Sequence, residues 1–71
     1  MDLIDPKGTI QFFNSCVHVI ENPVSDGSPR ETIFGDCEDS SPYPLKELAT
    51  YLRRRGFEER AVRVAQQYKF P

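Results

Sequence analysis

Few side chains in this sequence could carry chemistry: a single histidine, His18, two cysteines, Cys16 and Cys37, and the carboxylates Asp36, Glu38 and Asp39 that flank the second cysteine. Thiolate, imidazole and carboxylate are the ligand types of zinc, which takes four N or S donors in a structural site and three plus water in a catalytic one. The paired Cys-x-x-Cys knuckles of a zinc domain are absent. The expectation is therefore no metal and no cofactor, and a site would have to use Cys16, His18 and Cys37. The same residues allow two other chemistries. A cross-strand disulfide between Cys16 and Cys37 would close a loop of about twenty residues and contribute on the order of 3 kcal/mol. Cys16 and His18, two apart on a strand, would share a face as a nucleophile and base. Two cysteines fall below the density of small secreted scaffolds, so two free thiols in a reducing compartment are the default.

A second constellation is cationic. Arg53, Arg54 and Arg55 run consecutively, Arg60 and Arg63 follow, and Tyr51 and Tyr68 lie close in sequence. This is the one pattern that suggests a phosphate backbone, and it makes a nucleic-acid-binding regulator the alternative reading. Cations in the last turn of a helix also oppose its dipole, and Glu59 stands four residues before Arg63, so a solvated, self-paired helix surface explains the same residues. A helix-turn-helix does not fit, because Gly56 falls seven residues after Ala49, later than that motif places its turn glycine.

These groups need elements to hold them, and the chain changes character near Ser40. From Thr9 to Glu21 the run TIQFFNSCVHVIE is β-branched and aromatic, the turn-forming PVSDGSP follows, and a second short run extends from Glu31 to Cys37. This predicts a β-hairpin, with a short extra strand at Leu3-Ile4. A two-residue turn at Asp26-Gly27 would set Ile20 opposite Ile33, Val19 opposite Phe34 and Cys16 opposite Cys37. In that register Pro23 sits at a hydrogen-bonded position with no N–H to give, so a longer loop from Pro23 to Pro29 is the alternative.

After the hairpin, Ser41 and Pro44 mark a helix start, with Ser41 as the cap. Leu45, Leu48, Ala49 and Leu52 recur at helical spacing and Gly56 ends the run; Phe57, Ala61, Val64, Ala65 and Tyr68 then form a second stripe. The predicted architecture is a single α+β domain over 1–71. An N-terminal β-hairpin or short antiparallel sheet (1–39) and a linker (40–44) lead to a C-terminal αα-hairpin (45–70) packed on it.

The spacing Leu45-x-x-Leu48-x-x-Tyr51-Leu52-x-x-x-Gly56-Phe57-x-x-x-Ala61-x-x-Val64 resembles the LisH motif, a short αα-hairpin used for homodimerisation. The resemblance covers residues 45–68. It departs from the family pattern at Arg60, where a small hydroxyl residue is preferred, and at Val64, where an aromatic is. It implies a homodimer in which Leu48, Leu52, Phe57, Ala61, Val64 and Tyr68 divide between the chain's own core and a second copy; packing against the β-hairpin is the alternative.

The chain has 71 residues, 38% of them hydrophobic, 28% charged and eight aromatic, with a net charge of −2. That is the composition of a small folded globule, too apolar for a disordered acidic tail and too balanced for a nucleic-acid wrapper. Asp2, Asp5, Lys7 and Gln11 interrupt the apolar residues near the start, so no secretory leader or membrane span is read, and a cytoplasmic location is expected. So short a chain has little surface from which to build a water-excluding pocket, so catalysis is not expected. The remaining reading is a non-enzymatic protein–protein interaction module: an accessory subunit, or a small inhibitor of the kind phages and viruses encode, with a homodimer as one form. Adjacent Phe12 and Phe13 point to opposite faces of a strand, and helices can cover only one. Phe12, Phe13, Val17, Tyr51, Leu52, Phe57 and Tyr68 are the candidate partner contacts, on the uncovered face, the free strand edge and the helical stripes.

Overall fold

A computed structural model describes residues 2–13, 16–24, 27–36 and 43–68. Strands β1 (Asp2–Asp5), β2 (Gly8–Phe12), β3 (Cys16–Glu21) and β4 (Arg30–Gly35) form one antiparallel sheet in the order β1-β2-β3-β4. A 3₁₀ turn (Leu45–Glu47) runs into helix α1 (Leu48–Arg54), and α2 (Glu59–Gln67) follows. The α+β architecture expected from the sequence is the one found.

The Thr9–Glu21 run is not one strand. It breaks after Phe12, where the Phe13 N–H donates to the Cys16 carbonyl at 2.9 Å and the chain returns as β3. At the other end of β2, Asp5 and Gly8 are paired across Pro6-Lys7, and Pro6 supplies the preset φ that a tight turn uses. The expected hairpin is thus the second half of a four-stranded meander.

The β3–β4 register differs by two residues from the one a turn at Asp26-Gly27 would impose. Val19 faces Thr32, Ile20 faces Glu31 and Cys16 faces Gly35. The ladder closes at Glu21 and Arg30, which leaves Pro23 out of it, and the missing proline N–H is the physical reason the longer connection wins. Asp26 and Cys37 lie outside the described residues, as does Ser41, the expected helix cap.

The alternation of each strand sends Leu3, Ile10, Phe12, Val17, Val19 and Phe34 to one face, where Leu48, Leu52, Phe57, Ala61, Val62 and Ala65 of the helical half close the core. The stripe on α2 is rotated from the expected one. Val62 is fully buried and Val64 only half so. Gly56, at φ 86°, ends α1 in the left-handed conformation, with its N–H on the Arg53 carbonyl at 3.2 Å and the Phe57 N–H on the Leu52 carbonyl at 3.0 Å. This pair of bonds is a Schellman cap, and it delivers Phe57 into the core directly after the turn.

The start of α2 is capped from the sheet. Glu58 has an extended backbone and makes no side-chain cap; instead its N–H donates to Asp5 Oδ1 at 3.0 Å. Asp5 Oδ2 accepts from the Lys7 N–H at 2.9 Å, so one buried carboxylate holds both the β1–β2 turn and the helix start. Asp5→Ala should therefore lower stability by about 1 kcal/mol, the usual cost of a lost N-cap, as read from urea denaturation midpoints. An unchanged midpoint would show that water replaces the carboxylate without cost.

Candidate functional site

The helices cover one face of the sheet; the other carries the groups with chemical potential. Strand pairing sets them out in rows. Ile4, Thr9, Ile20 and Glu31 form one row across the strands, Asp2, Gln11, His18 and Ile33 the next, and Cys16 and Gly35 the last. Solvated faces of antiparallel sheets are ordinarily polar, yet this one holds Ile4, Ile20 and Ile33, with Phe13 at its end. Ile4 is 71% exposed and Phe13 47%, while Ile20 and Ile33 are half-buried among their neighbours.

At the centre of the face, Cys16, His18 and Glu31 are joined in series. Cys16 Sγ lies 3.6 Å from His18 Nε2, and His18 Nδ1 lies 3.2 Å from Glu31 Oε2. Cys16 and His18 meet because residues two apart on β3 share a face. Glu31 meets His18 as its diagonal neighbour, one strand over and two residues from its partner Ile33. An ionised carboxylate only accepts, so Nδ1 carries the hydrogen donated to Glu31. In the neutral ring Nε2 is then the acceptor for the Cys16 S–H. The Phe13 ring stands edge-on to the imidazole, centroids 4.8 Å apart at 66°.

Cys16 is a free thiol, half-buried, and the residue opposite it is Gly35, so the expected cross-strand pairing with Cys37 is corrected by the register. The two imidazole nitrogens point to different partners and do not converge with them on a common point. Among the described residues no group of three ligand-type side chains could hold a metal ion.

Of the candidate partner contacts, four are withdrawn into the core: Phe12, Val17, Leu52 and Phe57 are at most 6% exposed. They pack with Ile10, Phe34 and Leu48 in the core between sheet and helices. Tyr68 is half-buried on Phe12, with ring centroids 4.6 Å apart, and its hydroxyl donates to the Phe13 carbonyl at 3.0 Å. Tyr51 is half-buried in a polar network: its hydroxyl donates to Glu21 Oε2 at 2.5 Å and accepts from the Thr32 hydroxyl at 3.1 Å. Phe13 alone among the seven stands on the open face and exposed. Ile4, Ile20, Ile33 and Glu31 join it there and were not singled out from the sequence; the three isoleucines follow from strand alternation, whereas Glu31 requires the register.

The arginines are largely committed to carboxylates. Arg53 Nη2 is 3.3 Å from Glu59, Arg55 Nε donates to Glu21 at 2.5 Å, and Arg60 Nε to Glu58 at 3.1 Å. Arg60 also reaches the Ile4 carbonyl on the edge of β1 at 2.5 Å. Arg54 and Arg63 make no ion pair among the described residues, and they sit on different helices. Arg54 lines an open groove of about 480 Å³ with Phe34, Tyr43, Lys46, Glu47, Thr50 and Tyr51. The basic run thus reads as helix-end ion pairing and does not form a continuous track.

No protein-family model, no curated protein and no solved structure matches this chain. Of the positions in the LisH-like spacing, Leu48, Leu52, Phe57 and Ala61 are buried within the chain, Leu45, Tyr51 and Val64 are half-buried, and Gly56 is exposed. No helix among the described residues is long and apolar enough to cross a membrane.

Proposed function

We propose that this chain is a small protein–protein interaction module, acting without turnover, and that the open face of its sheet is the surface it presents. The observation that carries this is the presence of Ile4, Ile20, Ile33 and Phe13 on the one face that the helices leave uncovered. Apolar side chains grouped in this way mark contact surfaces. Four strands about 4.8 Å apart and about 17 Å long offer only a few hundred Å², well below the roughly 800 Å² per partner of a standard interface. The contact is therefore weak and reversible, or one part of a larger one. Asp2 and Glu31, on the outer strands, give the patch acidic margins and favour a partner whose apolar surface is flanked by Lys or Arg. A nucleic-acid role finds less support, because Arg53, Arg55 and Arg60 already have carboxylate partners.

Light scattering coupled to size exclusion, in reducing buffer over about a hundredfold concentration range, tests the reading first with a second copy as the occupant. A dimer that dissociates on dilution and is lost in Ile20→Lys places a second copy on the face. A monomer throughout moves the test to peptides selected from a random library, expected to be apolar with basic flanks and to lose binding to Ile20→Lys. A monomer whose selected peptides ignore both Ile20→Lys and Ile33→Lys would overturn the proposal.

A further inference from the structure

The series Cys16–His18–Glu31 has the order of an activated nucleophile: a thiol on a base, and the base held by a carboxylate. We propose that Cys16 is a thiol nucleophile that undergoes exchange with disulfides, with His18 as its base and Glu31 as the residue that positions the base. This stands independently of the protein-binding reading.

The geometry favours disulfide exchange over acyl transfer. A tetrahedral acyl intermediate needs preformed donors for its oxyanion in a water-excluded pocket. Cys16 lies half-buried on an open sheet face at the start of β3, and from Val17 onward the strand is paired with both β2 and β4. Thiol–disulfide exchange places the developing charge on sulfur and requires only access and a proton carrier. His18 Nε2 accepts the Cys16 proton, and the thiolate attacks one sulfur of a disulfide R–S–S–R. The Cys16 S–S bond forms as the original S–S bond breaks, and the departing thiolate takes the proton from the imidazolium. The products are Cys16–S–S–R and RSH; Cys16 is oxidised, the released half is reduced, and no other reactant is consumed. Glu31 keeps Nδ1 protonated and Nε2 turned to the sulfur, and its charge offsets the transient imidazolium. The Phe13 ring edge restricts the imidazole to that orientation.

The test uses 5,5′-dithiobis(2-nitrobenzoate) as the disulfide and a Cys37→Ser chain, so that Cys16 is the one thiol. The second-order rate at neutral pH should exceed that of the urea-unfolded chain about tenfold. His18→Gln should return it to the unfolded level and Glu31→Gln to a value between. The deficit of His18→Gln should vanish at high pH, where thiols ionise without a base; a structural effect of the substitution would persist. If Cys37→Ser does not fold, the label is located in the unaltered chain by mass spectrometry, since trypsin separates Cys16 from Cys37 at Arg30. A folded-state rate no higher than the unfolded one, or one unchanged in His18→Gln, overturns the proposal. Enhanced alkylation by iodoacetamide without enhanced disulfide exchange overturns the exchange chemistry.

Discussion

Gly8→Ala is expected to cost about 3 kcal/mol or more, enough to leave a chain of this size largely unfolded in mild denaturant. A Cβ built at Gly8 would stand 2.2 Å from the Ile20 carbonyl oxygen, 2.9 Å from the Glu21 Cα and 3.0 Å from the Ile20 carbonyl carbon. All are backbone atoms, so no rotamer change relieves the overlap; β2 and β3 must separate. β3 is also hydrogen-bonded to β4, so a shift that relieves one ladder strains the other. The position demands glycine through this close approach, because its backbone is near-extended, and the buried Asp5 of the same turn would be displaced with it. Gly27→Ala is the internal control: its nearest neighbour would be the Val24 carbonyl at 3.6 Å, an ordinary contact, and a change under about 0.5 kcal/mol is expected. Urea denaturation followed by circular dichroism measures both. Equal midpoints for the two variants would show that β2 and β3 do not approach this closely.

The second large effect belongs to Glu21, 7% exposed at the end of β3. Glu21→Ala should cost about 2 kcal/mol, because the Tyr51 hydroxyl, which accepts from the buried Thr32 hydroxyl, loses the acceptor for its own proton while remaining half-buried. Arg55 is released to water, which limits the loss on its side. The same network gives a pH signature. Burial pushes the Glu21 carboxyl up, but the hydrogen bonds from Tyr51 and Arg55 and the charges of Arg55 and Arg30 outweigh it, and the carboxyl is held below its ordinary value of 4.5. A carboxyl depressed in the folded state stabilises that state fully above its unfolded value, and the stabilisation is lost as the pH falls through the folded one. Stability should decline below about pH 5, and Glu21→Gln should remove part of that slope. Tyr51 moves the other way: burial and then the bond to Glu21 raise its hydroxyl above 10.0, so its contribution is present below that pH and lost as the pH rises through the higher folded value. A Glu21→Gln chain whose acid profile superimposes on that of the unaltered chain would remove the network as the source.

Local pattern made the helical half legible. The spacing of Leu45, Leu48 and Leu52, and Gly56 directly after three arginines, determine where the first helix lies and how it stops, because a helix period and a left-handed cap are properties of a few consecutive residues. Strand alternation likewise assigns Cys16 and His18 to one shared face and separates Phe12 from Phe13.

What the tertiary structure decided is pairing. A register shifted by two residues sends every side chain to the same face as before, so no periodicity in the sequence distinguishes Cys16 opposite Cys37 from Cys16 opposite Gly35. The choice rests on Pro23 leaving the ladder, and with it came Glu31 beside His18. The burial of Val62, the reach of Arg55 to Glu21 and of Asp5 to the start of α2 are set the same way. Each joins residues distant in the chain, where the energy lies in the fit of one element on another and not in the residues of either alone.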